Sequence, residues 1–275
     1  MKNTLSRQLI LPAALAAMVC GSPAFADGRD DDGRNNRECD GLPNHSQLQA
    51  ALKAAQGTAN GGFGLNMWGT IVNRDGVVCA VAFTGSDRGA QWPGSRAISA
   101  QKANTANAFS LPGLALSTAN LFTAVQPGGS LYGLQHSNPV DTDVAYGGTP
   151  RNYGQPNDPM VGKRIGGVNV FGGGLGLYKI KKDDTKELVG GLGVSGDSSC
   201  ADHNIAWKTR HNLVVNQTEY FDHVPAGVSG QPSLKDNIVY DTTLTVPPDE
   251  AFASWGHPQC SSEATEVAGG LPANR

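Results

Sequence analysis

Apolar side chains recur along this chain at two spacings, and each spacing predicts a different element. Over residues 46–56, Leu48, Ala51, Leu52 and Ala55 fall at i, i+3, i+4 and i+7, the signature of one helix face. Asn44 or Ser46 can cap its start, and Gly57 stops it. Two β-rich runs follow, residues 68–73 and 77–83, on either side of Arg74-Asp75-Gly76. Asp-Gly between such runs predicts a hairpin. A second helix is expected over residues 95–109. There Ala97, Ala100, Ala103, Ala106 and Phe109 form a narrow stripe of small side chains that lets a helix lie close against a sheet.

Periodicity then fades. Residues 110–165 are rich in Gly, Pro, Asn and Asp, and a loop of that length is unusual in a compact domain and often functional. Strands resume at residues 167–171 and 176–180, and a third, 186–194, follows the turn Lys181-Lys182-Asp183-Asp184. Gly196-Asp197-Ser198-Ser199 leads into a helix expected over residues 201–211. From Asn212 on, Pro225, Pro232, Pro247, Pro248, Pro258 and Pro272 predict an irregular tail wrapped on the domain surface. Hairpins in this order predict an α+β fold with an antiparallel sheet, not a doubly wound parallel one.

The N-terminus has the three parts of an export signal. Lys2 and Arg7 precede an apolar stretch at residues 9–20, and Ala24-Phe25-Ala26 offers an A-x-A cleavage site. Residues 1–26 are therefore expected to be removed, leaving a polar, flexible arm at 27–44, a domain at 45–215 and the extension 216–275. Export to the periplasm or beyond places Cys39, Cys79, Cys200 and Cys260 in an oxidising compartment, where four cysteines imply two disulfides in one of three pairings. Cys39–Cys79 and Cys200–Cys260 are favoured because they staple loose ends to the core. No C-x-x-C or H-x-x-x-H spacing supports a metal site instead. With 275 residues and 39% apolar content the chain can build a core, and no apolar run is long enough to span a bilayer. A net charge of −3 argues against nucleic acid as a partner.

Several segments match a known family. Lys102-Ala103-Asn104-Thr105-Ala106, followed by Phe109, resembles the K-A-x-T-A-x-x-F helix of the GlcG/HbpS-like proteins. Gly190-Gly191-Leu192-Gly193-Val194-Ser195-Gly196 resembles their G-x-x-G-V-S-G strand end, and Asp202 with Ile205-Ala206 resembles the acidic start of their last helix. Asp75-Gly76 and Asp87-Arg88-Gly89-Ala90 also sit where that family has a D-x-G hairpin and a D-G-A-type stretch. The likeness runs from about Gln47 to Leu213. It implies an antiparallel sheet of about five strands flanked by helices, homo-oligomeric assembly, and haem binding, with haem degradation or redox sensing in some relatives. The long 110–165 segment and the tail depart from the short relatives.

Haem or a similar planar anionic ligand needs an axial donor, and cations for its propionates. His203, beside Asp202 in the first turn of the last helix, is the leading metal ligand; a surface histidine near a helix start is the plain alternative. The family comparison places Thr118, with Leu121, near a T-x-x-L element linked to haem contact. Lys102, between Ala100 and Ala103, and Arg88 are the candidate anion contacts, and Asp202 completes the set. Gly193-Val194-Ser195-Gly196 falls short of a G-x-S-x-G elbow, and no Asp/His partner set is evident from spacing. The sequence thus favours an exported haem-binding protein. An enzyme on the same fold, working through Lys102, Asp202 and His203, and a secreted partner-binding protein are the alternatives.

Overall fold

The computed structural model describes residues 37–240 and 255–275. The expected export segment, and the first part of the arm after it, lie outside the described residues. Helix α1 (His45–Gln56) starts at an Asn44 cap whose side chain accepts from Gln47 N while the Gln47 side chain accepts from Asn44 N, and Gly57 ends it. Leu48, Ala51, Leu52 and Ala55 form its buried face, as their spacing requires. Strands β1 (Trp68–Asn73) and β2 (Val78–Phe83) form the hairpin. Gly76 takes φ +75°, and Asn73 Oδ1 accepts from the Asp75 and Val77 amides, each at 2.9 Å, so the turn is closed by its own side chain.

Helix α2 (Ser95–Phe109) spans the predicted range. Strands β3 (Gly174–Ile180) and β4 (Lys186–Ser195) complete one antiparallel sheet of order β2-β1-β4-β3. The sheet therefore has four strands where about five were expected. Residues 167–171 do not join a ladder because side chains take their backbone groups: Asn104 Nδ2 donates to Gly167 O at 2.9 Å, and Asn169 N donates to Thr105 Oγ1 at 3.0 Å. Helix α2 claims that segment before a neighbouring strand can.

The alanine stripe and the glycines of β4 answer one another. A Cβ on Gly193 would lie 1.9 Å from Ser99 O, and one on Gly191 would lie 2.3 Å from Ala103 O. Helix α2 thus rests backbone to backbone on β4, which only glycine permits. Helices α1 and α4 (Ser199–Asn212) cover the other face of the sheet, with Leu48, Leu52, Ile71, Leu192, Ile205 and Trp207 in one cluster. Both faces being covered, β4 reads as a run of apolar and small residues instead of an alternation.

The 110–165 segment is a packed layer, with the short helix α3 (Thr142–Tyr146) inside it. Its Asp158 receives a two-pronged hydrogen bond from buried Arg96 of α2, and it pairs with the outer edge of β2 through Val78 N to Lys163 O at 2.8 Å. The tail covers the opposite edge, Tyr178 N donating to Phe221 O at 2.9 Å. Phe221, Leu234 and Ile238 join the core cluster, the short strands β5 (Val214–Val215) and β6 (Glu219–Tyr220) pair across its start, and the tail carries helix α5 (Ser262–Gly269). The disulfides are Cys39–Cys79 and Cys200–Cys260, the favoured pairing, and both suit an oxidising compartment. Among the described residues, no helix is long and apolar enough to cross a membrane.

Candidate functional site

Three backbone features meet at one end of the sheet: the last residue of β4, the start of α2 and the start of α4. They enclose a cavity of about 420 Å³. Trp92, Ile98 and Phe171 give it apolar walls, and Ser195, Ser199 and Asp202 contribute polar groups. Trp92 and Phe171 are half-exposed at 51% and 45%, and Phe63 stands edge-on to Trp92 with ring centroids 6.3 Å apart. Large aromatic side chains left in water around one concavity mark a ligand surface more often than a defect of packing.

Beneath the cavity lies a buried ion pair. Lys102 Nζ is 2.7 Å from Asp202 Oδ2 and 3.0 Å from Val194 O, and the two side chains are 1% and 3% exposed. Asp202 Oδ1 accepts from the Asp197 amide at 2.8 Å. Burial dominates both titrations. It raises Asp202 to about 6 against the lowering pull of Lys102, and it lowers Lys102 against the opposite pull of Asp202. Lys102 is therefore not a free anion contact: its charge is spent on Asp202, and the lining adds the acid Asp197.

The other expected residues are placed elsewhere. The His203 imidazole is fully buried and turned to the tail, with Nε2 3.1 Å from Asn237 Oδ1 and 3.0 Å from Ile238 N. Burial pulls its pKa down to about 4, so it is neutral. It does not line the cavity and offers no open ligand position there. Thr118 is also fully buried; its Oγ1 donates to Phe171 O at 2.5 Å and accepts from Gly174 N at 2.8 Å, so it pins the loop that carries Phe171. Arg88 is half-buried and lines a neighbouring cavity of about 220 Å³, with Tyr153 and Arg96, that shares Gly94 with the first. Of the five expected residues the structure unites Lys102 and Asp202, sets Arg88 next door, and uses His203 and Thr118 as supports.

Sequence reasoning did not single out Trp92 or Phe171 for the site, and it read the turn at residues 195–199 as a helix cap or a backbone cradle for an anion, without a role for the Ser199 hydroxyl. Trp92, before Pro93-Gly94-Ser95, and Phe171, before Gly172-Gly173-Gly174, are lone aromatics at turn-forming runs, a signal that could have marked them. His257 carries no local signal at all; it reaches Ser199 Oγ, 2.7 Å from its Nε2, only through the fold of the tail.

An antiparallel sheet between helices, with an aromatic-rimmed cavity at the strand and helix ends, defines an α+β module with a pocket of small-molecule size. Residues 44–210 match the family model described as haem degrading protein HbpS-like, and the chain belongs to that family. It is similar to a crystal structure of Klebsiella pneumoniae protein ORFY at 24% identity, covering 61% of this chain and 86% of that one, with a TM-score of 0.40. It is also similar to a crystal structure of a PduOC:heme complex at 25% identity, covering 62% of this chain and 93% of that one, with a TM-score of 0.39. No curated protein matches it.

The cavity suits the ring of a haem better than its iron. Trp92, Ile98 and Phe171 suit a flat apolar face, but among the described residues the lining contains no His, Cys, Met or Tyr, the side chains that ordinarily ligate haem iron.

Proposed function

We propose that this chain is an exported haem-binding protein of the HbpS-like family that seats the flat ring against Trp92, Ile98 and Phe171. The observation that carries this reading is the aromatic rim around a buried, hydrogen-bonded floor. In this reading Arg88, on the adjoining cavity, supplies the cation for a propionate. Lys102 acts only through Asp202, while Thr118 and His203 hold the surrounding segments in place. Family membership and the two disulfides support the reading.

Titrating the purified chain with hemin, followed by Soret absorbance, is the test. Saturable binding is expected, lost in the double variant Trp92→Ala/Phe171→Ala. His203→Ala is expected to leave the band position unchanged. Absence of a saturable change sinks the reading, and a band that shifts in His203→Ala makes that imidazole the ligand after all. Incubating the complex with a reductant and oxygen separates a binder, which leaves the chromophore intact, from a haem-degrading enzyme.

A further inference from the structure

The tail brings His257 up behind the cavity wall, against Ser199, a lining side chain that haem binding does not use. Ser199, the first residue of α4, lines the cavity with its Oγ 2.7 Å from His257 Nε2. Their neighbours fix the direction of every proton. His257 Nδ1 is 2.7 Å from the Pro258 carbonyl, which can only accept. Nδ1 therefore carries the hydrogen, and Nε2 presents its lone pair to the hydroxyl. Gly172 N–H donates to Ser199 Oγ at 2.7 Å, leaving the hydroxyl proton for His257. The imidazole is 2% exposed and packs on Phe122 at 4.9 Å. Disulfide Cys200–Cys260 joins the residue after Ser199 to the segment that carries His257.

We propose that Ser199 and His257 form a nucleophile–base dyad that hydrolyses small neutral or cationic esters entering this cavity. A hydroxyl, a base within hydrogen-bond reach and a third group orienting that base are the parts such chemistry requires. The walls, Trp92, Ile98 and Phe171, suit an apolar acyl or aryl group, and the Asp197 carboxylate disfavours an anionic one. The positive end of α4 favours the oxyanion that forms beside Ser199. In the first half-reaction Oγ bonds to the carbonyl carbon as its proton passes to Nε2. The bond from that carbon to the alcohol oxygen breaks, and Nε2 returns the proton to the departing oxygen. In the second, water gives a proton to Nε2 as its oxygen bonds to the acyl carbon; the bond from that carbon to Oγ breaks, Nε2 returns the proton to Oγ, and the carboxylic acid leaves.

The charges around His257 are those of Lys102 on α2 and its partner Asp202 on α4; His203, on the same helix, is neutral. Burial, reinforced by Lys102, holds His257 at a pKa of about 4, below its ordinary value, so the base is unprotonated through the neutral range.

The test uses the full, haem-free chain with its disulfides intact, so a failed hemin titration leaves it unaffected. A fluorophosphonate probe is expected to label Ser199, seen by peptide mass mapping, and 4-nitrophenyl acetate is expected to give a burst near one equivalent. Ser199→Ala removes both. His257→Gln slows labelling by roughly 100-fold or more, with near-ultraviolet circular dichroism checking its fold. Labelling should be level from pH 6 to 8 and fall below pH 5 as His257 takes a proton. If His257→Gln does not fold, Ser199→Ala and this pH profile decide the matter. No adduct on Ser199, a rate rising in proportion to hydroxide, or a folded His257→Gln that labels at the wild-type rate each overturns the dyad and leaves a structural strap.

Discussion

Lys102→Met breaks the ion pair under the cavity, and its cost follows from the pair's surroundings. Both side chains are nearly out of water, and Asp202 keeps its second oxygen on the Asp197 amide. Removing the cation strands a buried carboxylate, a change worth about 3–5 kcal/mol, against a total stability of about 5–15 kcal/mol for a typical domain. The cost should depend on pH. Asp202 sits near 6 even with Lys102 present, above its unfolded value, and without the cation it moves higher. A carboxyl raised in this way contributes stability that is fully present below its unfolded pKa and is lost as pH rises through the folded one. The variant should therefore be badly destabilised at pH 7.5 and partly relieved at pH 5, where the carboxyl is protonated. Lys102→Met/Asp202→Asn, which keeps the acceptor and drops the charge, should recover most of the loss at pH 7.5. Urea unfolding followed by tryptophan fluorescence, without reductant, measures all three. A loss below about 1 kcal/mol at pH 7.5, the scale of a surface pair, or the same loss at both pH values, refutes the argument.

Gly193→Ala should cost about 3 kcal/mol or more, because its Cβ would meet Ser99 O at 1.9 Å and Ala103 N at 2.4 Å. Gly269→Ala, with nothing within 4 Å, is the neutral control in the same thermal melts. His203 and His257, both held near 4 by burial, refuse protons that the unfolded chain accepts below pH 6.5. Stability from each is present above pH 6.5 and falls as pH drops toward 4, by about 2 kcal/mol at pH 5. His203→Gln should make the pH 7 to 5 loss shallower by that amount in urea titrations, and an unchanged slope would show that His203 is not buried neutral.

What the sequence showed of the fold was whatever local signals decide. The alanine stripe gave α2 its full range, Asp75-Gly76 gave the hairpin, and cysteine placement gave both disulfides. The failures share a cause in distant side chains. Residues 167–171 have strand composition, yet Asn104 and Thr105, some sixty positions earlier, take their backbone groups. Helix α5 is short and buries only Ala264 and Ala268, too little for a periodic signal. In the site, Lys102 was legible as a group that needs an anion, because it is the charge on a small-residue helix face. That the anion is Asp202, leaving no charge for a ligand, depends on how α2 and α4 meet over β4. His203 drew attention through its neighbour Asp202, but successive helix residues point in different directions, and its ring faces the tail.

The buried pair also explains how the rim keeps its shape. Lys102 fixes Asp202, whose other oxygen holds the Asp197 amide. The Asp197 carboxylate in turn accepts from Phe63 N at 2.9 Å and from Leu65 N at 3.1 Å. Phe63 is the aromatic that stands against Trp92 at the cavity mouth. One hydrogen-bonded line thus runs from the core helix to the backbone that carries Phe63. Exposed aromatics on loops ordinarily move, and immobilising them on binding subtracts from affinity. Here the backbone under Phe63 is ordered during folding, by the same interactions that stabilise the domain. A floor made only of leucines would pack as well, but it would have no acceptor to offer the Phe63 and Leu65 amides, and the rim would be left to solvent.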